Sequence, residues 1–146
     1  MDVPIVINTI PVSFVSPRGL VIMDAREWLG TPYVFGGDSK DGIDCSHFVY
    51  EVFHKRIPTY TYLWATQYPA SNRFQQVPEP ATADLVYWAP PTGDTSGHIA
   101  IVIDPESGTF VGAQTSTGVA IANYKTNNYW AGRLNRRYFR FKELVL

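Results

Sequence analysis

The one cysteine of this chain, Cys45, stands in the run Asp44-Cys45-Ser46, just after Gly30-Thr-Pro-Tyr-Val-Phe-Gly-Gly37. A thiol becomes a strong nucleophile only as the thiolate. Asp44 is a residue type that caps helices, so Cys45 is placed as the first helical residue. Val49, Val52 and Phe53 then recur at helical spacing. A helix start offers unpaired N–H groups and the positive end of the macrodipole, and both favour the thiolate. The competing reading is a small buried hydrophobe. The polar neighbours and the glycine-rich approach argue against it. The expectation is a nucleophile with a depressed thiol pKa.

A nucleophilic thiol needs a base. The chain has three histidines. His47 lies two positions after Cys45 on the same helix and so points about 200° away from it. His54 falls near the opposite face of that helix by the same periodicity. His98 opens a predicted strand straight after Thr92-Gly-Asp-Thr-Ser-Gly97. A histidine at a sheet end can meet a helix N-terminus across a cleft. A lone histidine is more often a hydrogen-bonded structural residue, but a nucleophile requires a partner, and that favours His98.

The elements that must position this pair follow from the pattern. Ser16-Pro17 reads as an N-cap followed by proline at the first helical position. Val21, Ala25, Trp28 and Leu29 mark one face of that helix, and Gly30 ends it. The helix from Cys45 runs to about His54 or Lys55 and stops before Pro58. Residues 58–83 read as a long aromatic connector, either functional or a cover for the core. The second half reads as strands: Asp84 to Trp88, His98 to Ile103, Thr109 to Gln114, Gly118 to Ala122 and Arg137 to Phe141. Helices followed by a meander of strands indicate an α+β domain with an antiparallel sheet.

Composition narrows the function. Among 146 residues, 45% are apolar and 17% charged, as in a globular domain with a proper core. A net charge of −1 offers no broad basic surface to nucleic acid. A single cysteine cannot form an internal disulfide. Residues 1–16 are apolar but interrupted by Pro4 and Pro11, and they read as an extended arm rather than a signal peptide or a membrane span. The histidines and the cysteine have no metal-ligand spacing, so neither metal nor cofactor is expected.

Several segments together carry a family resemblance. They are Thr31-Pro-Tyr-Val-Phe-Gly-Gly37, Asp44-Cys45-Ser46, Ala83-Asp-Leu-Val-Tyr-Trp88 and Gly97-His98-Ile-Ala-Ile-Val-Ile103. They resemble the NlpC family of cell-wall cysteine peptidases, over roughly residues 17 to 122. The resemblance implies a papain-like α+β fold in one domain, residues 1–146. The nucleophile would sit at a helix N-terminus packed on an antiparallel sheet. It implies cleavage of peptide bonds in peptidoglycan stems, commonly the D-γ-glutamyl–diaminopimelate bond. Cys45 would be the nucleophile and His98 the base. Tyr33 would help bind the reacting carbonyl. Asp44 would face the substrate's amino end, with Ser46 beside it in the substrate-binding set.

The chain departs from the family pattern in three places. His47 stands where glycine is usual, and Ala83-Asp84 stands where the usual pattern is a small residue and Asp, as in Gly-Asp. Gly112, in Val111-Gly112-Ala113, stands where a polar residue, often histidine, is usual. Gln114 is two residues on and shares that strand face. Its amide could hold the imidazole as the third member of a triad. It could equally be a satisfied polar residue at a strand end.

The leading function is hydrolysis of a peptidoglycan amide through a thioester, in the periplasm or outside the cell. Two alternatives stay open. One is a thiol enzyme of the same fold, such as a deamidase or acyltransferase, acting on another substrate. The other is a non-catalytic binding module, against which Cys45 and His98 both count. A small domain without a visible signal also fits a toxin delivered into another bacterium, whose producer would need a neutralising inhibitor protein.

Overall fold

The computed structural model describes residues 15–90, 97–133 and 135–144. The expected N-terminal arm, except its last two residues, and Thr92 to Ser96 lie outside the described residues. Helix α1 spans Pro17–Arg26, and the Ser16 hydroxyl accepts the Gly19 N–H at 3.1 Å. Val21 and Ala25 are buried as the spacing predicts. The helix stops at Arg26, however, and Leu29 lies beyond it, 42% exposed. Helix α2 spans Cys45–His54 with Asp44 as its cap. A two-stranded hairpin unforeseen in the sequence, β1 (Asp38–Ser39) and β2 (Gly42–Ile43), leads into it.

The main sheet has six antiparallel strands. They are β3 (Phe74–Val77), β4 (Leu85–Trp88), β5 (His98–Asp104), β6 (Thr109–Gln114), β7 (Gly118–Asn123) and β8 (Arg136–Phe141). Their order is β3-β8-β4-β5-β6-β7. Only β4 to β7 form a meander, because β8 returns to lie between β3 and β4. The stretch 58–83 is not a plain connector: it holds a 3₁₀ turn over Ala65–Ala70 and the edge strand β3. A short helix, α3 (Asn128–Ala131), separates β7 from β8.

Side chains alternate across the sheet and divide the interior in two. On one face Leu85, Tyr87, Ile99, Ile101, Val111 and Ala113 pack with Phe48, Val49, Val52 and Phe53 of α2. On the other, Val86, Trp88, Ala100, Val102 and Phe110 pack with Tyr124 and Trp130. The α2 layer fixes the height of Cys45 above the sheet. The second layer carries His98, against Trp88 and Trp130.

Two tethers hold the elements that flank the site. Asp84 is fully buried and meets Arg18 of α1 at 3.1 Å and Arg140 of β8 at 2.8 Å, while Ala81 N–H donates to it at 2.7 Å. Breaking one partner of such a buried network is strongly destabilising. The preceding residue, Ala83, has φ of 71°, a left-handed conformation that costs an alanine about 1–2 kcal/mol. The second tether joins β7 to the segment approaching Cys45. Gly30 N–H donates to Val119 O, and Val119 N–H to Thr31 O, each at 2.9 Å. Gly118 must be glycine there, because a Cβ would collide with the Thr31 carbonyl oxygen.

Candidate active site

Cys45 opens α2, 9% exposed. The Asp44 carboxylate beside it is fully engaged. Its Oδ1 accepts from His47 N–H at 2.9 Å, from His47 Nδ1–H at 2.8 Å and from the Ser46 hydroxyl at 3.2 Å. Its Oδ2 accepts Gly36 N–H at 2.9 Å. Ser46 Oγ lies 2.7 Å from Tyr62 Oη, and the His47 ring stacks on Tyr62 at 4.3 Å. The bulk that His47 brings in place of glycine is thus folded back onto Asp44 and Tyr62. His54 stacks on Tyr50 at 4.8 Å, further along the helix.

The imidazole side is built by strand ends. His98 is the first residue of β5 and is 8% exposed. Its ring lies against Trp88 at 5.6 Å and stacks on Trp130 of α3 at 5.1 Å. Its Nε2 lies over Gly112. A Cβ at Gly112 would stand 2.6 Å from Gln114 Oε1, 2.8 Å from Ala100 Cβ and 3.4 Å from His98 Nε2. Gln114 therefore folds back over Gly112, and its amide oxygen fills space that a side chain at 112 would take. Gln114 Nε2 donates to Ala120 O at 3.3 Å, which leaves Oε1 toward the imidazole. The pair stops short of full hydrogen-bond geometry: among the described residues, His98 Nε2 and Gln114 Oε1 are both buried without a partner, as is Trp88 Nε1.

Burial sets the protonation states. It pushes the Cys45 thiol up to about 11, against backbone hydrogen bonds from Ile99, Ser46 and Cys45 itself that lower it. This corrects the depressed thiol pKa expected from the helix start, where burial outweighs the dipole. Burial pulls His98 down to about 4; the Arg133 charge adds to this, and Gln114 opposes it. The resting pair at neutral pH is a thiol and a neutral imidazole. Tyr33 is raised to about 12, by burial first and then by Cys45 and Asp44, so its phenol stays a proton donor.

Tyr33, Cys45, His98 and Gln114 line one cavity of about 810 Å³. Asp44 and Ser46 are not on its wall. Sequence reasoning missed the rest of the wall: the β6–β7 turn at Thr115 to Thr117, and Asn127, Tyr129, Trp130 and Arg133 around α3. A signal existed in Asn127, whose Oδ1 caps α3 by accepting from Tyr129 and Trp130 N–H at 3.0 and 3.3 Å. One turn of helix was too short for periodicity to show.

A helix-borne thiol against an antiparallel sheet, with an imidazole at a strand start, is the papain-like arrangement. The family model that describes the NlpC/P60 family matches residues 30–138. The chain belongs to the NlpC/P60 family. It is 34% identical over 110 residues to a probable endopeptidase of Haemophilus influenzae, covering 73% of this chain and 64% of that protein. It is 35% identical over 119 residues to the Escherichia coli protein named murein DD-endopeptidase MepS/murein LD-carboxypeptidase, covering 78% and 58%. The chain thus spans about three fifths of the length of these curated relatives. The crystal structure of the NlpC/p60 domain of peptidoglycan hydrolase SagA shares the fold, with a TM-score of 0.63 at 23% identity, covering 84% of this chain and 96% of that one.

Proposed function

We propose that this chain hydrolyses an amide bond in the stem peptides of bacterial peptidoglycan, through a thioester on Cys45. The observation that carries the reading is a single cavity walled by a buried thiol, a buried imidazole, a protonated phenol and an amide. The names of the relatives, endopeptidases of murein among them, support the substrate class. That substrate puts the site of action in the periplasm or outside the cell.

The chemistry starts from the neutral pair. As Cys45 Sγ attacks the scissile carbonyl, His98 takes the thiol proton. The backbone N–H of Cys45 and the Tyr33 hydroxyl face the developing oxyanion; such a donor contributes about 2.7–4 kcal/mol. The imidazolium passes its proton to the leaving amine, and the C–N bond breaks to leave the thioester. His98 then draws a proton from water as the oxygen attacks, and the thiol returns as the acid product departs. Gln114 Oε1 accepts the Nε2–H of the imidazolium, which steadies the ring in the charged state. Asp44 and Ser46 stand off the cavity wall and brace the start of α2 through Gly36, His47 and Tyr62.

The bond cut is proposed as D-γ-glutamyl–diaminopimelate. The name of the Escherichia coli relative favours the D-alanyl cross-link as a second reading. Digestion of purified sacculi, with fragments identified by mass, tests both. New diaminopimelate α-amines mark the first bond, and loss of cross-linked dimers marks the second. If the intact chain releases no more fragments than its Cys45→Ala variant, the reading fails.

A further inference from the structure

We propose that Arg133 binds a free carboxylate of the substrate, a step that rests on the cavity being the substrate cleft. Among the described residues, Arg133 is the one formally charged side chain on the cavity wall, with no Asp or Glu beside it. It forms no ion pair among the described residues, whereas Arg18, Arg56, Arg73 and Arg140 each meet a carboxylate. It is held in place by neutral groups. Its Nη1 donates to Tyr129 Oη at 3.3 Å, and its guanidinium lies 5.6 Å and 5.8 Å from the Tyr129 and Trp130 rings. Those two rings are set in turn by the Asn127 cap.

A pre-set guanidinium with no anion against it among the described residues is suited to bidentate binding of a carboxylate. Trp130 stacks on both sides of the relation, touching the Arg133 guanidinium and the His98 ring. The Arg133 charge is close enough to bear on His98. The bound carboxylate therefore lies beside the reacting centre rather than at a remote subsite. It also offsets the charge that would otherwise oppose the imidazolium formed during attack. A stem peptide offers two sources of such a group, the glutamyl carboxylate and the carboxylates of diaminopimelate.

The test is calorimetric binding to the full chain carrying Cys45→Ala, which prevents turnover. Three ligands are compared: the stem tripeptide as free acid, the same peptide amidated at the glutamyl carboxylate, and the same peptide amidated at diaminopimelate. One amidated form should bind about 10–100-fold more weakly than the free acid, as expected for a lost charged hydrogen-bond pair, and it identifies the source. Adding Arg133→Gln should make the three bind alike, and Arg133→Lys should keep part of the preference. Equal binding of all three with Arg133 present, a preference that survives Arg133→Gln, or no binding at all overturns the proposal. Turnover by the unaltered chain is read separately. Cleavage without carboxylate preference sinks only the role of Arg133, and preferential binding without cleavage sinks only the hydrolase.

Discussion

Asp44 and Gln114 flank the same thiol and imidazole, yet their oxygens are in opposite states. Both residues are 6% exposed. Asp44 accepts hydrogen bonds from Gly36, Ser46 and His47 and has little capacity left. Gln114 Oε1 and His98 Nε2 both lie over Gly112, with no partner among the described residues. A buried polar group left unmatched costs about 1–3 kcal/mol. Satisfied groups hold a shape. The unsatisfied pair would be matched in the imidazolium that the proposed hydrolysis calls for.

The comparison can be broken most forcefully at the thiol. Cys45→Ala should abolish turnover with the melting temperature nearly unchanged, since alanine suits a helix start. Residual hydrolysis near the level of the intact chain would remove the nucleophile from the scheme. Because the resting thiol is neutral, the rate of iodoacetamide alkylation should be slow at pH 7 and rise steeply above pH 9, toward the pKa of about 11. A pH-independent rate between 6 and 8 would mean a preformed thiolate.

Gln114→Ala should then lower kcat by about 10–100-fold, one hydrogen bond to the charged ring, while leaving stability within about 1 kcal/mol. Gln114→His and Gln114→Asn should retain more activity than the alanine. Asp44→Ala should show the reverse emphasis. Loss of the cap and of the bonds to Gly36, Ser46 and His47 should cost about 2 kcal/mol in urea unfolding. If Gln114→Ala destabilises as much as Asp44→Ala, the two sides of the site do not differ as argued. The smallest effect lies away from the chemistry. Ala83→Gly should raise stability by up to about 1 kcal/mol, by relieving the left-handed alanine against the added chain entropy of glycine.

What the sequence showed and what it hid divide along local and non-local lines. The cap residues Ser16 and Asp44, the extent of α2, and β6 at Thr109–Gln114 follow from short-range chemistry, and each was readable. The strand pairing of β8 between β3 and β4 depends on residues some sixty apart, and no pattern announces it. Strand β3 hid because its Phe74-Gln-Gln-Val77 pattern buries only the two ends. In the site, Cys45 and His98 stood out by type and place. The low pKa expected of the thiol did not hold, because burial is a tertiary property. Arg133 and Trp130 were invisible for the same reason: nothing in their neighbourhood in sequence says that α3 folds over the imidazole.

The tether between Gly30, Thr31 and Val119 has a consequence for motion. Tyr33 follows that junction within two residues, and Gln114 leads into it across the β6–β7 turn. The walls bearing Tyr33 and Gln114 should therefore behave as one cooperative unit, opening together rather than breathing apart. In native-state hydrogen exchange, the amides of Gly30 and Val119 should share one opening free energy. Gly118→Ala, which drives a methyl into the Thr31 carbonyl, should lower it for both.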